Sequence, residues 1–160
     1  GGALGALAVS FVYCKLKKIN FWKLSDFFIP AVSLGYFWGR LGNFFNKELY
    51  GTVTQKPWGM HFQTASGPLR HPSQLYEAFF EGLIIFLILW PLRNKSFFKG
   101  KFLGLYLILY GIFRFFIEFF RQTPTEHLIL ETLTLGQLLC LAMIAAGSYL
   151  MYNEKPLEKN

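Results

Sequence analysis

The sequence predicts an all-α protein: a polytopic membrane helix bundle of about five transmembrane helices, one domain over residues 1–160. Three observations predict it. Of 160 residues, 53% are apolar and 19 are Phe, with a mean hydropathy of +0.34, more than a water-soluble domain of this size ordinarily carries. The apolar residues gather into five segments, 1–14, 27–45, 76–90, 102–120 and 133–152, most of them near the roughly 20 residues a helix needs to cross the hydrocarbon core. The basic residues, finally, sort between alternate connections.

The first segment, 1–14, is short and is followed by Lys15, Lys17, Lys18 and Lys23. Those charges follow the apolar run, whereas in a signal peptide they precede it. The second, 27–45, carries Pro30 near its start, where a helix best tolerates proline. Gly35 and Gly39, like Gly1 and Gly5 and Gly100 and Gly104, have the spacing that lets helix backbones approach in lipid. Residues 46–75 form a small extracytoplasmic loop region. Within it "GTVTQKPWGMHFQTASGPLRH", residues 51–71, has turn signals that suit a small flap or hairpin. Pro72 and Ser73 begin the third segment, with Ser73 as its cap and Tyr76 and Glu77 in the first turn. Cys14 and Cys140 lie far apart inside apolar segments and read as buried structural thiols. No repeat or low-complexity tract divides the chain.

Ten basic residues fall on one side of this topology: the four lysines after the first segment, Arg93, Lys95, Lys99 and Lys101 after the third, and Lys155 and Lys159 in the tail. The other side has Lys47, Lys56, Arg70 and Arg121. The asymmetry predicts a cytoplasmic tail, with loops 46–75 and 121–132 outside. Topology thereby accounts for the net charge of +7, and nucleic acid is not an expected partner. His61 and His71 are ten residues apart, and neither HExxH nor CxxC is present, so no metal or cofactor is predicted.

Ionisable residues inside a membrane segment point to function, and three stretches carry them. In "GRLGNFFNKELYG", residues 39–51, Arg40 and Asn43 share a helix face. The planar donors of Arg40 match phosphate oxygens; the alternative is an arginine snorkelling to lipid headgroups. In "YGIFRFFIEFFRQ", residues 110–122, Tyr110, Arg114, Glu118 and Arg121 line one face. Arg114 and Glu118 form a structural pair on one reading. On the other, two arginines with one carboxylate leave positive charge for an anionic ligand. In "RHPSQLYE", residues 70–77, His71 sits where an imidazole can act as acid or base, or simply belongs to a helix start. Glu81, one turn on, joins the same polar patch. Together these describe an outward-facing membrane pocket suited to a phospholipid headgroup.

These three stretches, in this order, resemble the motif regions of the prolipoprotein diacylglyceryl transferase family. "GGALGALAV" resembles that family's glycine-rich helix, "LSDFFIP" the start of its next helix, and "LGQLLCLAMIAAG" its last. The resemblance implies a multi-pass enzyme of the bacterial inner membrane, with seven helices of which this chain is the C-terminal part. Its C-terminus is expected in the cytoplasm and its active site towards the outer leaflet. The implied reaction moves the diacylglyceryl group of phosphatidylglycerol to the thiol of the lipobox cysteine of a prolipoprotein, releasing glycerol phosphate. The implied partners are phosphatidylglycerol, the lipobox peptide and membrane lipids. Arg40, Asn43, Glu48 and Gly51 fall on the signature stretch, Tyr110, Arg114 and Glu118 on the later helix, and Asp26 on an acidic position before the signature.

On that resemblance Arg40 and Arg114 hold the phosphate as catalytic residues. Asn43, Glu48, Gly51, Tyr110, Glu118, Arg121 and His71 complete the substrate site. Tyr110 and Glu118 position Arg114, and Gly51 lets the loop turn or approach closely. The family's histidine base would immediately precede Gly1, which makes His71 the candidate substitute. The alternatives are a non-catalytic protein binding anionic phospholipid, or an anion transporter using the same arginines.

Overall fold

The computed structural model describes residues 2–62, 64, 66–122, 128–129 and 133–153. The tail lysines Lys155 and Lys159, and most of the predicted loop 121–132, lie outside the described residues. Among the described residues five helical stretches follow one another: α1 (Gly2–Lys17), α2 (Phe21–Phe45), α3 (Ser73–Leu92), α4 (Phe102–Ile117) and α5 (Leu135–Asn153). A 3-10 turn, Glu118–Phe120, prolongs α4. Short strands β1 (Leu128–Ile129) and β2 (Leu133–Thr134) pair antiparallel just before α5. Among the described residues three stretches are long and apolar enough to cross a membrane: Ser73–Leu92, Phe102–Phe120 and Leu135–Asn153. Of the other two, α1 has 16 residues, and α2 has 25 but carries Lys23, Asp26 and Arg40.

Large apolar side chains face outward along these helices, Leu16 and Phe27 each 77% exposed. On a surface bathed in lipid this is the expected solvation, because acyl chains are as apolar as leucine and helices must associate by close packing. One close backbone approach joins α4 to α5. A Cβ added to Gly147 would lie 2.6 Å from the Gly104 carbonyl oxygen, and one on Gly104 would lie 2.9 Å from that of Gly147. Of the predicted small-residue pairs, Gly104 makes such a contact, whereas Gly35 and Gly39 face open space. Spacing on one helix does not reveal which face meets a neighbour.

Two further departures from expectation concern helix α2 and helix α3. Helix α2 begins six residues before the predicted segment, capped by Asn20, whose Oδ1 accepts from the backbone N–H of Trp22 at 2.8 Å. Pro30 therefore lies inside the helix and buried. Helix α3 is not uniformly α-helical: Glu77–Ile84 is a π-helix, a wider coil that recurs at functional positions. Gly82 in this stretch lies against the backbone of Phe37 in α2.

The ends of the helices are tied by side chains. The Asp26 carboxylate accepts from the backbone N–H groups of Gly100 and, at 3.1 Å, Phe102. Helix α2 thus caps α4 across space. Beside this tie Ile29, Ile85, Leu89 and Phe102 form the buried core. The opposite end, where α2 and α4 finish and α3 and α5 begin, holds the polar residues. There Thr134 and Gln137 exchange two side chain–backbone hydrogen bonds of 3.1 Å, a capping box that opens α5.

Candidate functional site

The loop after α2 is fastened to the start of α3. Lys47 and Leu49 both have left-handed backbone, at φ 57° and 56°, a conformation uncommon for residues with a side chain. The peptide between them is held by α3. Gln74 donates to the Glu48 carbonyl oxygen at 2.6 Å and Ser73 to that of Leu49 at 3.1 Å. Ser73 is therefore a strut between two sequence motifs and not the expected helix cap. Gly51 follows, its N–H donating to the His71 carbonyl at 2.8 Å and its carbonyl accepting from Arg70 at 3.2 Å. A Cβ there would strike the Phe120 carbonyl oxygen and the His71 backbone. Close approach, the second expectation for Gly51, is the reason no side chain fits. Residues 51–71 form isolated antiparallel bridges, Val53 and Met60 each with Arg70, and Gly51 with Arg121.

Arg40, near the end of α2, leads into a buried ionic cluster. Its Nε lies 2.7 Å from Glu77 Oε2, its guanidinium packs over the Tyr36 ring at 4.9 Å, and its Nη1 donates to Asn43 at 3.4 Å. Asn43 in turn donates to Glu48 at 2.9 Å. The signature residues therefore form a relay running from an exposed carboxylate, Glu48, to the half-buried Arg40.

Helix α4 supplies the other side. Arg114 reaches Glu77 at 3.2 Å, Glu81 at 3.6 Å and Glu118 at 3.4 Å. Arg121 reaches Glu77 and Glu118, each at 3.3 Å. The expected face of Tyr110, Arg114, Glu118 and Arg121 is present. Tyr110, however, meets Tyr36, hydroxyl to hydroxyl at 3.5 Å; the carboxylates, not Tyr110, make the ion pairs that orient Arg114.

The sequence reading missed the centre of the cluster. Glu77, 1% exposed, is shared by Arg40, Arg114 and Arg121. Glu81 is fully buried and accepts from the Tyr36 hydroxyl at 2.6 Å. The expected surplus of positive charge is thereby offset, since three arginines face three carboxylates among the described residues. Tyr36–Arg40 and Glu77–Glu81 are each i, i+4 pairs, the signal by which Tyr36 and Glu77 were detectable. The cluster is incompletely hydrogen-bonded. Glu77 Oε1, Glu81 Oε1 and Arg114 Nη1 are buried without a hydrogen bond of good geometry among the described residues, although all three make ion-pair contacts.

His71 lies beside this cluster and outside its ion pairs. Its Nδ1 is 3.1 Å from the Tyr76 hydroxyl, which also accepts from Trp58 Nε1 at 2.9 Å, and its ring packs edge-on against Phe120. Burial, with Lys56 adding to it, holds the imidazole below its usual range. Tyr76 and Phe120 also line an apolar cleft of about 300 Å³ with Phe80, Phe113, Phe116 and Ile117. Cys14 and Cys140 are buried and free.

Planar guanidinium donors from two helices, converging at low dielectric, can hold a carboxylate or a phosphate with equal economy of geometry. Fold and site together define a polytopic helical membrane protein with a buried ionic centre between α2, α3 and α4. The chain belongs to the prolipoprotein diacylglyceryl transferase family, whose model matches residues 1–153. It is 48% identical to a phosphatidylglycerol–prolipoprotein diacylglyceryl transferase of Chlorobaculum tepidum, over 100% of this chain and 56% of that protein. Proteins of the same name from Rickettsia felis and Desulfotalea psychrophila are each 45% identical, over 98% and 95% of this chain and 62% and 58% of theirs. The chain thus spans somewhat over half the length of the curated relatives it matches.

Proposed function

We propose that the complete protein carrying this chain transfers the diacylglyceryl group of phosphatidylglycerol to the lipobox cysteine thiol of prolipoproteins. The observation that carries this reading is the convergence of Arg40 and Arg114, from different helices, on one buried anionic point. There the lipid phosphate is bound, and the charge that builds on departing glycerol phosphate is offset as the C–O bond breaks. Asn43 and Glu48 hold Arg40 from the loop side; Glu118 holds Arg114 from the other, and Arg121 in turn holds Glu118. Tyr110 acts at one remove, through Tyr36. Gly51 keeps the loop seated on His71 and Phe120. The incoming nucleophile is the thiolate, and His71, neutral at pH 7, is the acceptor this chain offers for the thiol proton.

In this reading the protein is a multi-pass component of the bacterial inner membrane. Its Lys-rich connections and C-terminus are cytoplasmic, and its site opens to the outer leaflet. The test is to mix detergent-solubilised full-length protein with labelled phosphatidylglycerol and a lipobox-cysteine peptide. Label on the peptide thiol, lost with Arg40→Ala and Arg114→Ala, is the expected result. Bound lipid without labelled peptide would indicate a non-catalytic lipid binder instead. Lipid or anion crossing a sealed vesicle unchanged would indicate a transporter.

A further inference from the structure

We propose that Glu77 is a positioning residue that acts as the site's resident anion: it occupies the point where Arg40, Arg114 and Arg121 converge, so that an entering phosphate exchanges with it. The inference rests on the phosphate-binding reading above. Three guanidinium nitrogens surround this one carboxylate, Arg40 Nε at 2.7 Å, Arg114 Nη1 at 3.2 Å and Arg121 Nε at 3.3 Å. Among the described residues no other side chain meets all three arginines.

The charges explain why a resident anion is needed. Without Glu77, three half-buried cations would face two carboxylates, and an uncompensated charge in lipid is strongly unfavourable. The carboxylate therefore keeps the forks gathered and correctly aimed while no phosphate is bound. It also opposes every anion that enters. The surroundings are built for exchange. Glu77 is the first residue of the π-helix, and its Oε1 lacks a hydrogen bond of good geometry. Glu81, one turn further, already contacts Arg114 and Tyr36, so it holds both when Glu77 gives way. Resident carboxylate and phosphate alternate on one set of donors, which limits affinity for the lipid and hastens release of the phosphate product.

The charge-removing, size-keeping substitution Glu77→Gln separates this role from a purely structural one. Binding of short-chain phosphatidylglycerol to the full-length protein in detergent, measured by calorimetry, is expected to tighten about tenfold or more, roughly 1.4 kcal/mol. The kcat of transfer should fall, because the forks lose their common reference. Glu77→Asp, which keeps the charge, should return affinity towards that of the unaltered protein. Weaker or unchanged binding in Glu77→Gln, with a folded protein, overturns the proposal. Arg40→Ala and Arg114→Ala serve as the control on the underlying reading: if they leave binding unchanged, the phosphate site itself is misplaced. Where Glu77→Gln does not fold, Arg121→Gln is compared with the charge-balanced double variant Arg121→Gln/Glu77→Gln. The double variant must bind the lipid more tightly, and equal or weaker binding refutes the exchange.

Discussion

Replacing Arg114 by lysine keeps the charge and removes the fork. In the native site Nη1 serves Glu77 and Glu81 while Nη2 serves Glu118, at 3.2, 3.6 and 3.4 Å. An ammonium is a single point on a flexible stem and cannot occupy both nitrogen positions, so at least one arm is lost. A hydrogen bond from that arm to the charged phosphate would contribute about 1.5–3 kcal/mol. If that arm acts in the transition state, kcat/KM falls about 10- to 150-fold, at roughly 1.4 kcal/mol per decade. Because the charge remains, Glu77, Glu81 and Glu118 stay compensated and the fold should persist. Arg114→Ala, by contrast, strands buried carboxylates and should destabilise by about 3–5 kcal/mol. The assay is transfer to a lipobox peptide by the full-length protein, with thermal unfolding in detergent alongside. Activity of the lysine variant within about threefold of the unaltered protein, with a native melting profile, would refute the clamp.

Three other outcomes are expected. Tyr36→Phe removes the hydroxyl that donates to the buried Glu81 at 2.6 Å, which should destabilise the chain by about 1–3 kcal/mol, read by thermal unfolding. Gly51→Ala places a Cβ against the Phe120 carbonyl and His71. An overpacking cost of about 1–3 kcal/mol follows, seen as a lower melting temperature and faster proteolysis of loop 46–75. His71 is held below its usual range by burial, so the folded protein binds fewer protons there than the unfolded one. Its contribution is complete above the unfolded value and is lost as pH falls through the folded one. Melting temperature should therefore decline as pH is lowered from about 7, and the decline should be shallower in His71→Gln.

The helices were legible because lipid imposes a length and a composition, and the fourth and fifth apolar segments kept both, whereas the third, short as read over 76–90, reaches spanning length as Ser73–Leu92. The arginines were legible for the same reason: a guanidinium in an apolar run stands out. Their carboxylate partners stood out less. Glu77 lies just inside a helix start, where an acidic residue is ordinary. Only folding brings it to Arg40 and Arg114, 37 residues away in each direction. The π-helical stretch was also hidden, since no residue in "EAFFEGLI" forbids a regular α-helix. Ser73 looked like a cap because local sequence offered no view of the Leu49 carbonyl it serves. Asp26 gave no hint of its task, which is to cap a helix that begins 76 residues later.

The most direct test of the central claim measures the distance between a guanidinium and the lipid phosphorus. Full-length protein with ¹⁵N-labelled arginine would be reconstituted with phosphatidylglycerol and studied by phosphorus–nitrogen dipolar recoupling, with Arg40→Lys and Arg114→Lys assigning the signals. Dephasing that places phosphorus within about 5 Å of both side chains, and that vanishes selectively in each variant, is the predicted result. A catalytically active preparation in which neither arginine approaches the phosphorus would contradict it.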